Sequence, residues 1–239
     1  MLELDNVSVR FGGLTALDGV TLSVGSGDVI GLVGSNGAGK TTLLNAISGL
    51  VRPSSGAIRF GGQDVLRTPM YARARLGIGR TFQIPQPMHE LTVRENLLVA
   101  QRFGTGRVDQ RKIDQILEFT SLADKAGRDA ATELALTELK ALEVAKALAT
   151  EPQLLLLDEV LAGLETSGKR RFMGMLRDLH STFGVGIVMI EHDLDTIRTL
   201  CARVVVINFG QLIADGTPDA VFSRSGRHPK LYGSAACLN

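Results

Sequence analysis

The stretch that decides the fold is Val29-Ile-Gly-Leu-Val33 followed by Gly34-Ser35-Asn36-Gly37-Ala38-Gly39-Lys40-Thr41-Thr42. Its apolar start predicts a buried strand, and the residues from Thr41 to Ser48 predict a helix. The glycine-rich segment between them matches G-x-x-x-x-G-K-[S/T] in the strand–loop–helix setting that this pattern requires. Glycines let consecutive backbone N–H groups turn toward phosphate oxygens, Lys40 adds a positive charge, and the Thr41 hydroxyl can bind magnesium. We therefore expect an α/β fold with a site for nucleotide phosphates.

Other apolar runs predict the sheet to which this unit belongs. Three of them are separated by helical patterns, which is typical of a parallel sheet covered on both faces; they are Leu154–Leu157, Gly186–Ile190 and Val204–Ile207. In such a sheet the chemistry lies at the carboxyl ends of the strands. Leu2 to Arg10 and Leu14 to Val24 instead alternate apolar and polar residues, which predicts a small N-terminal antiparallel β-lobe.

The domain organisation follows from the same patterns. Residues 91–149 are helical in pattern, with breaks at Gly104 to Gly106 and around Gly127, and are interpreted as a helical lobe inserted into the α/β core. The β-lobe and core then comprise residues 1–90 and 150–222, and the basic, turn-rich residues 223–239 form a tail. We expect all 239 residues to form a single domain.

Composition excludes several classes of protein. A net charge of +1 offers no bulk attraction to nucleic acid or anionic lipid, so no nucleic-acid partner is expected. The two cysteines, Cys201 and Cys237, lie outside any metal-ligand spacing and favour a reducing compartment. The start of the chain has no signal-peptide pattern, and no stretch approaches the ~20 apolar residues of a spanning helix. We expect a protein that is neither exported nor integral to a membrane.

Two adjacent acids follow the strand predicted at Leu154–Leu157. Asp158 at the strand tip is suited to hold magnesium through its water shell, whereas Glu159 can polarise the water that attacks a γ-phosphate. Acids also end buried strands merely to reach solvent. The phosphate loop upstream favours the catalytic interpretation.

His192 and Gln83 are candidates of a weaker kind. A histidine after a strand of this sheet can bind a γ-phosphate oxygen or orient water. An amide at a strand end can contact magnesium and a neighbouring lobe at once. The residues alone leave both side chains open to a plain structural role.

The order and spacing of these segments resemble the nucleotide-binding subunits of ABC transporters, from about Leu2 to Phe222. The resemblance implies the P-loop NTPase fold of an ABC ATPase, with ATP and Mg²⁺ as ligands. It also assigns a role to each segment. Phe11 would stack on adenine, Gly34–Thr42 would be Walker A, and Leu154–Asp158 would be Walker B. Gln83 would be the Q-loop glutamine, Glu159 the general base, Leu161–Glu165 the D-loop and His192 the switch histidine.

A narrower resemblance points to the subunits that serve branched-chain amino-acid importers, a group that includes urea and amide uptake systems. It rests on three sequence motifs, which are Phe11–Leu17, Arg80–Gln86 with Leu91–Asn96, and Leu157–Leu164. The resemblance implies transmembrane permease subunits, a second ATPase subunit as homo- or heterodimer, and, indirectly, a periplasmic or extracellular solute-binding protein. It also implies a peripheral location on the cytoplasmic face of the inner membrane.

One segment departs from the family pattern. The family signature L-S-x-G-[Q/E] falls on Leu134–Glu138, where Ala135 and Thr137 replace the serine and the glycine. In the family this loop closes on ATP that is bound to the other subunit. Ala135 has no hydroxyl, and Thr137 brings a Cβ where close backbone approach is expected. We expect a weakened site opposite this loop, which favours pairing with a related but different subunit.

Two alternatives remain open on the sequence. One is a soluble ABC-type ATPase that acts on nucleic acid or ribosomes, although such proteins usually carry coiled coils, tandem halves or a strongly basic surface. The other is a non-hydrolysing regulatory subunit, which only the altered signature loop favours.

Overall fold

The computed structural model describes residues 1–225, so the predicted tail lies outside the described residues from residue 226 onward. In chain order the strands and helices are β1 (Leu2–Phe11), β2 (Leu14–Val24), β3 (Val29–Val33), α1 (Lys40–Ser48), β4 (Ser55–Phe60), β5 (Gln63–Asp64), α2 (Met70–Leu76), β6 (Ile78–Arg80), α3 (Val93–Thr105), α4 (Gln110–Phe119), a 3-10 helix (Ala123–Lys125), α5 (Leu136–Ala149), β7 (Leu154–Asp158), α6 (Thr166–Phe183), β8 (Gly186–Ile190), α7 (Leu194–Leu200), β9 (Arg203–Asn208), β10 (Gln211–Gly216) and α8 (Pro218–Ser225).

These elements form two compact units. The first contains Met1–Thr68 and the chain from Val188 onward, and the second contains Pro69–Ile187. This division does not coincide with the predicted one. The β-lobe with core at residues 1–90 and 150–222, and the helical lobe at residues 91–149, stay a prediction.

The β-lobe of the first unit is a four-stranded sheet in the order β2-β1-β4-β5. β1 pairs antiparallel with β2, from Leu2 opposite Val24 to Phe11 opposite Leu14. β4 also pairs antiparallel with β1. The predicted hairpin is confirmed, because alternating residues such as Leu2, Leu4 and Val7 bury one face of β1. The sequence patterns did not predict β4 and β5.

The first unit also holds the strands around the glycine-rich loop. β3 is parallel to β9, with Ile30 opposite Arg203 and Val33 opposite Val206. β10 is antiparallel to β9 and was not predicted. Helix α7 packs closely on β3, since a Cβ added to Gly31 would lie 2.9 Å from the Ile197 side chain. β3 therefore runs through a packed core and delivers Gly34 at its carboxyl end.

The second unit combines two parallel strands with helices. β6 pairs with β7, from Ile78 opposite Leu154 to Arg80 opposite Leu156, and every residue of β7 is buried. α3 begins after a capping box between Thr92 and Glu95 and ends at Thr105, with Gly106 as its C-cap, within the predicted break. The non-helical segment between α4 and α5 is wider than predicted, because the Asp129 carboxylate accepts N–H groups from Ala131 and Thr132 and forms a turn.

The fold class predicted from the sequence is confirmed. Within each unit the strands near the predicted site are parallel, and the observed bounds of the predicted strands and of α1 agree with the prediction to within about one residue. Among the described helices, none combines the length and the apolar character that a membrane crossing demands.

Candidate functional site

The glycine-rich loop lies between β3 and α1 in the first unit, and two of its glycines are required by close packing. Gly39 has φ +107°, and a Cβ there would lie 2.6 Å from the backbone oxygen of Ala16. A Cβ on Gly34 would lie 2.1 Å from the backbone oxygen of Ile207. Because backbone atoms cannot yield as a flexible side chain can, larger residues at either position would displace the loop.

Lys40 begins α1 and is buried, with 6% of the residue exposed. Its ammonium donates to the carbonyl oxygens of Gly34 (2.8 Å) and Ser35 (2.9 Å), so the loop itself holds the charge in place. No side chain caps the N-terminus of α1, and its first turn contains no acidic residue. The N–H groups of this first turn, which no side chain caps, and the positive end of the helix dipole are therefore suited to bind phosphate.

Asp158 ends β7 in the second unit and is only 3% exposed. Its carboxylate forms an ion pair with Arg80 at 3.3 Å, and its backbone N–H donates to the Thr81 hydroxyl at 3.2 Å. Burial lowers the pKa of Arg80, although the charge of Asp158 and its hydrogen bond oppose this shift. The ion pair and the Thr81 contact hold Asp158 at the end of the strand.

Glu159 follows directly and adopts φ +49°, a left-handed conformation that is rare for a residue with a side chain. Its carboxylate accepts a hydrogen bond from the Gln83 amide nitrogen at 2.7 Å. Its backbone oxygen accepts from the Lys140 ammonium at 3.1 Å and from the Ala162 N–H at 3.2 Å. The structure thus brings together three predicted site residues, Gln83, Asp158 and Glu159.

His192 and Phe11 belong to the first unit. His192 is exposed and lies two residues beyond β8, immediately before Asp193, which caps α7. Phe11 is at the end of β1 and is 50% exposed. Its partner strand β2 reaches the glycine-rich loop through Ala16, the residue whose backbone oxygen approaches Gly39. The adenine and γ-phosphate roles of these two side chains stay predictions.

The altered signature segment forms the N-terminus of α5. Ala135 is the N-cap and supplies no side-chain hydrogen bond. The Glu138 carboxylate instead accepts the Ala135 N–H at 2.9 Å and forms an ion pair with Lys125 at 3.1 Å. The helix start is preserved, but a carboxylate already lies at its positive end.

Sequence analysis missed the roles of Arg80 and Lys140. Both are charged residues that are buried, since Lys140 is 5% exposed and the Arg80 side chain is 4% exposed. A signal existed for each, because Arg80 ends a short apolar strand and Lys140 lies in a helix with apolar residues on either side. Neither signal identifies the partner, which only the tertiary structure provides.

Within residues 1–225 no three histidine, cysteine, aspartate or glutamate side chains gather in a way that could hold a metal ion. Magnesium in nucleotide sites of this kind does not need such a cluster, because it keeps several waters and binds through few protein oxygens. Thr41, exposed in the first turn of α1, and Asp158, at the end of β7, each carry an oxygen donor of the type that magnesium prefers.

The chain is similar to known proteins over most of its length. A family model described as ABC transporter matches residues 17–162. The chain is 37% identical over 238 residues to the high-affinity branched-chain amino acid transport ATP-binding protein BraF of Pseudomonas aeruginosa, covering 92% of this chain and 93% of BraF. It is 34% identical to the corresponding protein LivG of Escherichia coli K12, with the same coverage of both.

A solved structure has the same fold over nearly the whole chain. It is the ADP conformation of MJ1267, an ATP-binding cassette of an ABC transporter, with a TM-score of 0.85 and 32% identity. The match covers 97% of this chain and 96% of MJ1267.

Proposed function

This chain belongs to the ABC transporter family, and on that premise we propose that it is the ATP-hydrolysing subunit of an importer for branched-chain amino acids or related amino-acid and amide solutes. The observation that carries the proposal is the 37% identity to BraF over more than nine-tenths of both chains. The chain binds ATP and couples its hydrolysis to transport. The solute is the finer part of the proposal, because the membrane and binding-protein partners select it.

Binding of ATP rests on the glycine-rich loop. The Lys40 ammonium provides a charge for the β- and γ-phosphates, and the N–H groups of the first turn of α1 donate to phosphate oxygens. Phe11 offers an exposed ring on which adenine can stack. Magnesium, when bound, neutralises charge on the phosphates, and we expect Thr41, Gln83 and Asp158 to hold it, the last through water.

Hydrolysis rests on Glu159. Its carboxylate is partly exposed and is oriented by the Gln83 amide, so it can accept a proton from the attacking water. His192 is proposed to contact the γ-phosphate or this water. Gln83 therefore has three proposed tasks, which are binding of magnesium, orientation of the base and response to the membrane partner.

We propose that exposed apolar side chains of the second unit contact a helix of the permease. Four large apolar side chains are at least 47% exposed, and they are Tyr71, Ile84, Phe103 and Val108. The segment after Gln83 is tied to α5, since the Gln86 N–H donates to the Glu143 carboxylate and the Lys146 ammonium donates to the Gln86 oxygen. Movement imposed on this segment by a membrane partner can thus be transmitted to α5 and to Glu159.

We propose that the chain functions as one of two ATPase subunits at the cytoplasmic face of the membrane. ATP closes the pair and hydrolysis reopens it, driven by the higher affinity of the closed state for ATP. The Ala135 and Thr137 substitutions favour a related but different partner subunit with an intact signature loop. In that arrangement the Walker residues of this chain retain a competent counterpart.

The test is to tag the Glu159→Gln variant in its native cell, solubilise the membranes mildly with ATP and magnesium, and identify co-purifying proteins by mass spectrometry. Recovery of polytopic subunits and a sister ATPase would support the importer and the unequal pair. Recovery with nucleic acid or ribosomes, without membrane proteins, would overturn the transport function.

A further inference from the structure

Lys140 is a buried cation for which the proposed reaction has so far given no task. It lies in the second turn of α5 and is 5% exposed. Removing an ammonium group from water is costly unless polar partners compensate for the lost hydration. One partner is the backbone oxygen of Glu159, at 3.1 Å from Nζ. A charge is therefore buried against the peptide of the proposed base.

The backbone at Glu159 needs such support. Its left-handed φ of +49° is strained for a residue that has a Cβ, and strained backbone persists only where the surroundings hold it. The Ala162 N–H donates to the same oxygen at 3.2 Å and closes a tight turn from Glu159 to Ala162. Lys140 therefore holds the first residue of the turn that leads out of β7.

The position of this peptide determines where the carboxylate lies. Glu159 is held by its chain link to buried Asp158, by the Lys140 and Ala162 contacts to its oxygen and by the Gln83 contact to its side chain. Two of these contacts lead to α5, directly through Lys140 and indirectly through the contacts of Glu143 and Lys146 with Gln86. The orientation of the carboxylate thus depends on the placement of α5.

We propose that Lys140 is a positioning residue, which transmits the placement of α5 to the backbone of Glu159 and so sets the hydrolytic carboxylate for attack. This rests on the proposed ATPase function, in which Glu159 is the base. The same helix begins with the altered signature segment, so Lys140 links that segment to the hydrolytic residue of its own chain. We expect ATP affinity to change little when the link is lost, because the ammonium and the N–H groups proposed to bind the phosphates belong to the glycine-rich loop and α1.

The test compares Lys140→Met with Lys140→Arg in the full-length chain, with Lys112→Met as the matched control. Lys112 is a lysine of the same helical region that pairs with Glu151 at 3.1 Å near the surface. We expect Lys140→Met to lower kcat about 10- to 100-fold while the KM for ATP changes less than about 2-fold, as for a displaced catalytic group. Arginine, which keeps the charged donor, should restore kcat to within about 3-fold of the wild type.

A purely structural role is separated by two further measurements. In the Glu159→Gln background, Lys140→Met should not lower the residual turnover further, because the carboxylate to be positioned is gone. Hydrogen exchange should become faster in peptides that cover residues 159–164, with ATP affinity unchanged. If Lys140→Met does not fold, Lys140→Gln replaces it, since glutamine keeps an N–H donor without the charge; its kcat should fall below that of the arginine variant.

Different results would count against the positioning role of Lys140 and against the proposed ATPase function. Wild-type kcat in Lys140→Met, or equal losses in kcat and ATP affinity, would overturn the positioning role. A wild-type chain that binds ATP without turnover in the presence of its partners would instead count against the proposed function. The exchange measurement does not depend on turnover, so unchanged exchange at 159–164 would refute the Lys140 contact in either case.

Discussion

The N-termini of α1 and α5 differ in how well their backbone N–H groups are suited to bind an anion. At α1 the glycine-rich loop leaves the N–H groups uncapped by side chains, with no acidic residue in the first turn and Lys40 buried beside them. At α5 the N-cap is Ala135, and the Glu138 carboxylate already accepts the Ala135 N–H. Both are helix starts in the family's phosphate-binding segments, yet only the first retains the glycines that bring the backbone close to an anion.

The difference suggests that the glycine-rich loop and the signature segment contribute unequally to nucleotide binding. The glycine-rich loop keeps its glycines and Lys40, whereas the segment that resembles the family signature has Ala135 and Thr137 in place of the serine and the glycine. A subunit of this kind would use its own ATP site better than it completes the site of its partner.

Glu159→Gln should give the largest effect, because it removes the base and leaves the glycine-rich loop intact. We expect steady ATP turnover to fall about 10²- to 10⁴-fold, the usual range for a lost general base, with ATP affinity retained. Turnover and equilibrium ATP binding should be measured on the same preparation. Near-normal turnover would exclude Glu159 as the base and leave the acidic pair without its proposed task.

Gly39→Ala tests whether close packing defines the first helix start. The added Cβ would meet the Ala16 oxygen at 2.6 Å in a left-handed backbone, so we expect the free energy of unfolding to drop by about 2–3 kcal/mol. Gly37→Ala is the matched control, because Gly37 has φ +76° but no atom within 4 Å of the added Cβ. Its loss should be about 1 kcal/mol, from the backbone alone. Urea unfolding measures both, and equal losses would show that packing against Ala16 is unimportant.

The double change Ala135→Ser with Thr137→Gly tests the altered helix start by restoring the family signature. In an assembly in which this chain pairs with itself, we expect ATP turnover to rise about 3- to 10-fold, since a helix start open to phosphate is regained. The turnover of the purified chain should be compared before and after the change. No gain would count heavily against a weakened site.

Glu138→Gln should give the smallest effect. Glutamine keeps an acceptor for the Ala135 N–H, and the lost ion pair with Lys125 is at the surface, where such pairs contribute little. We expect turnover to stay within about 2-fold of the wild type. A loss greater than 10-fold would mean that the carboxylate charge itself shapes this helix start.

The sequence was sufficient to predict the site wherever one short segment carries both the fold and the chemistry. The loop from Gly34 to Thr42 is such a segment, because its glycines, lysine and flanking periodicity all lie within one stretch of chain. The hairpin of β1 and β2 was predictable for the same reason, since alternation and the Phe11-Gly-Gly break are local.

The contacts that join distant segments could not be predicted in this way. Arg80 meets Asp158 across 78 positions, and Gln83 meets Glu159 across 76. Such pairs arise because β6 and β7 lie side by side, a fact that no local pattern encodes. β6 itself has three residues and gives too short a signal to be recognised.

The central claim, that ATP hydrolysis by this chain drives solute import, is tested most directly by uptake of radiolabelled leucine, isoleucine and valine into energised cells. The strain lacks the native gene and carries the wild-type chain, the Glu159→Gln variant or the Lys112→Met control. We predict that wild type and control restore uptake and that Glu159→Gln does not, although it still reaches the membrane. Equal uptake in all strains, including the strain without the gene, would contradict the account.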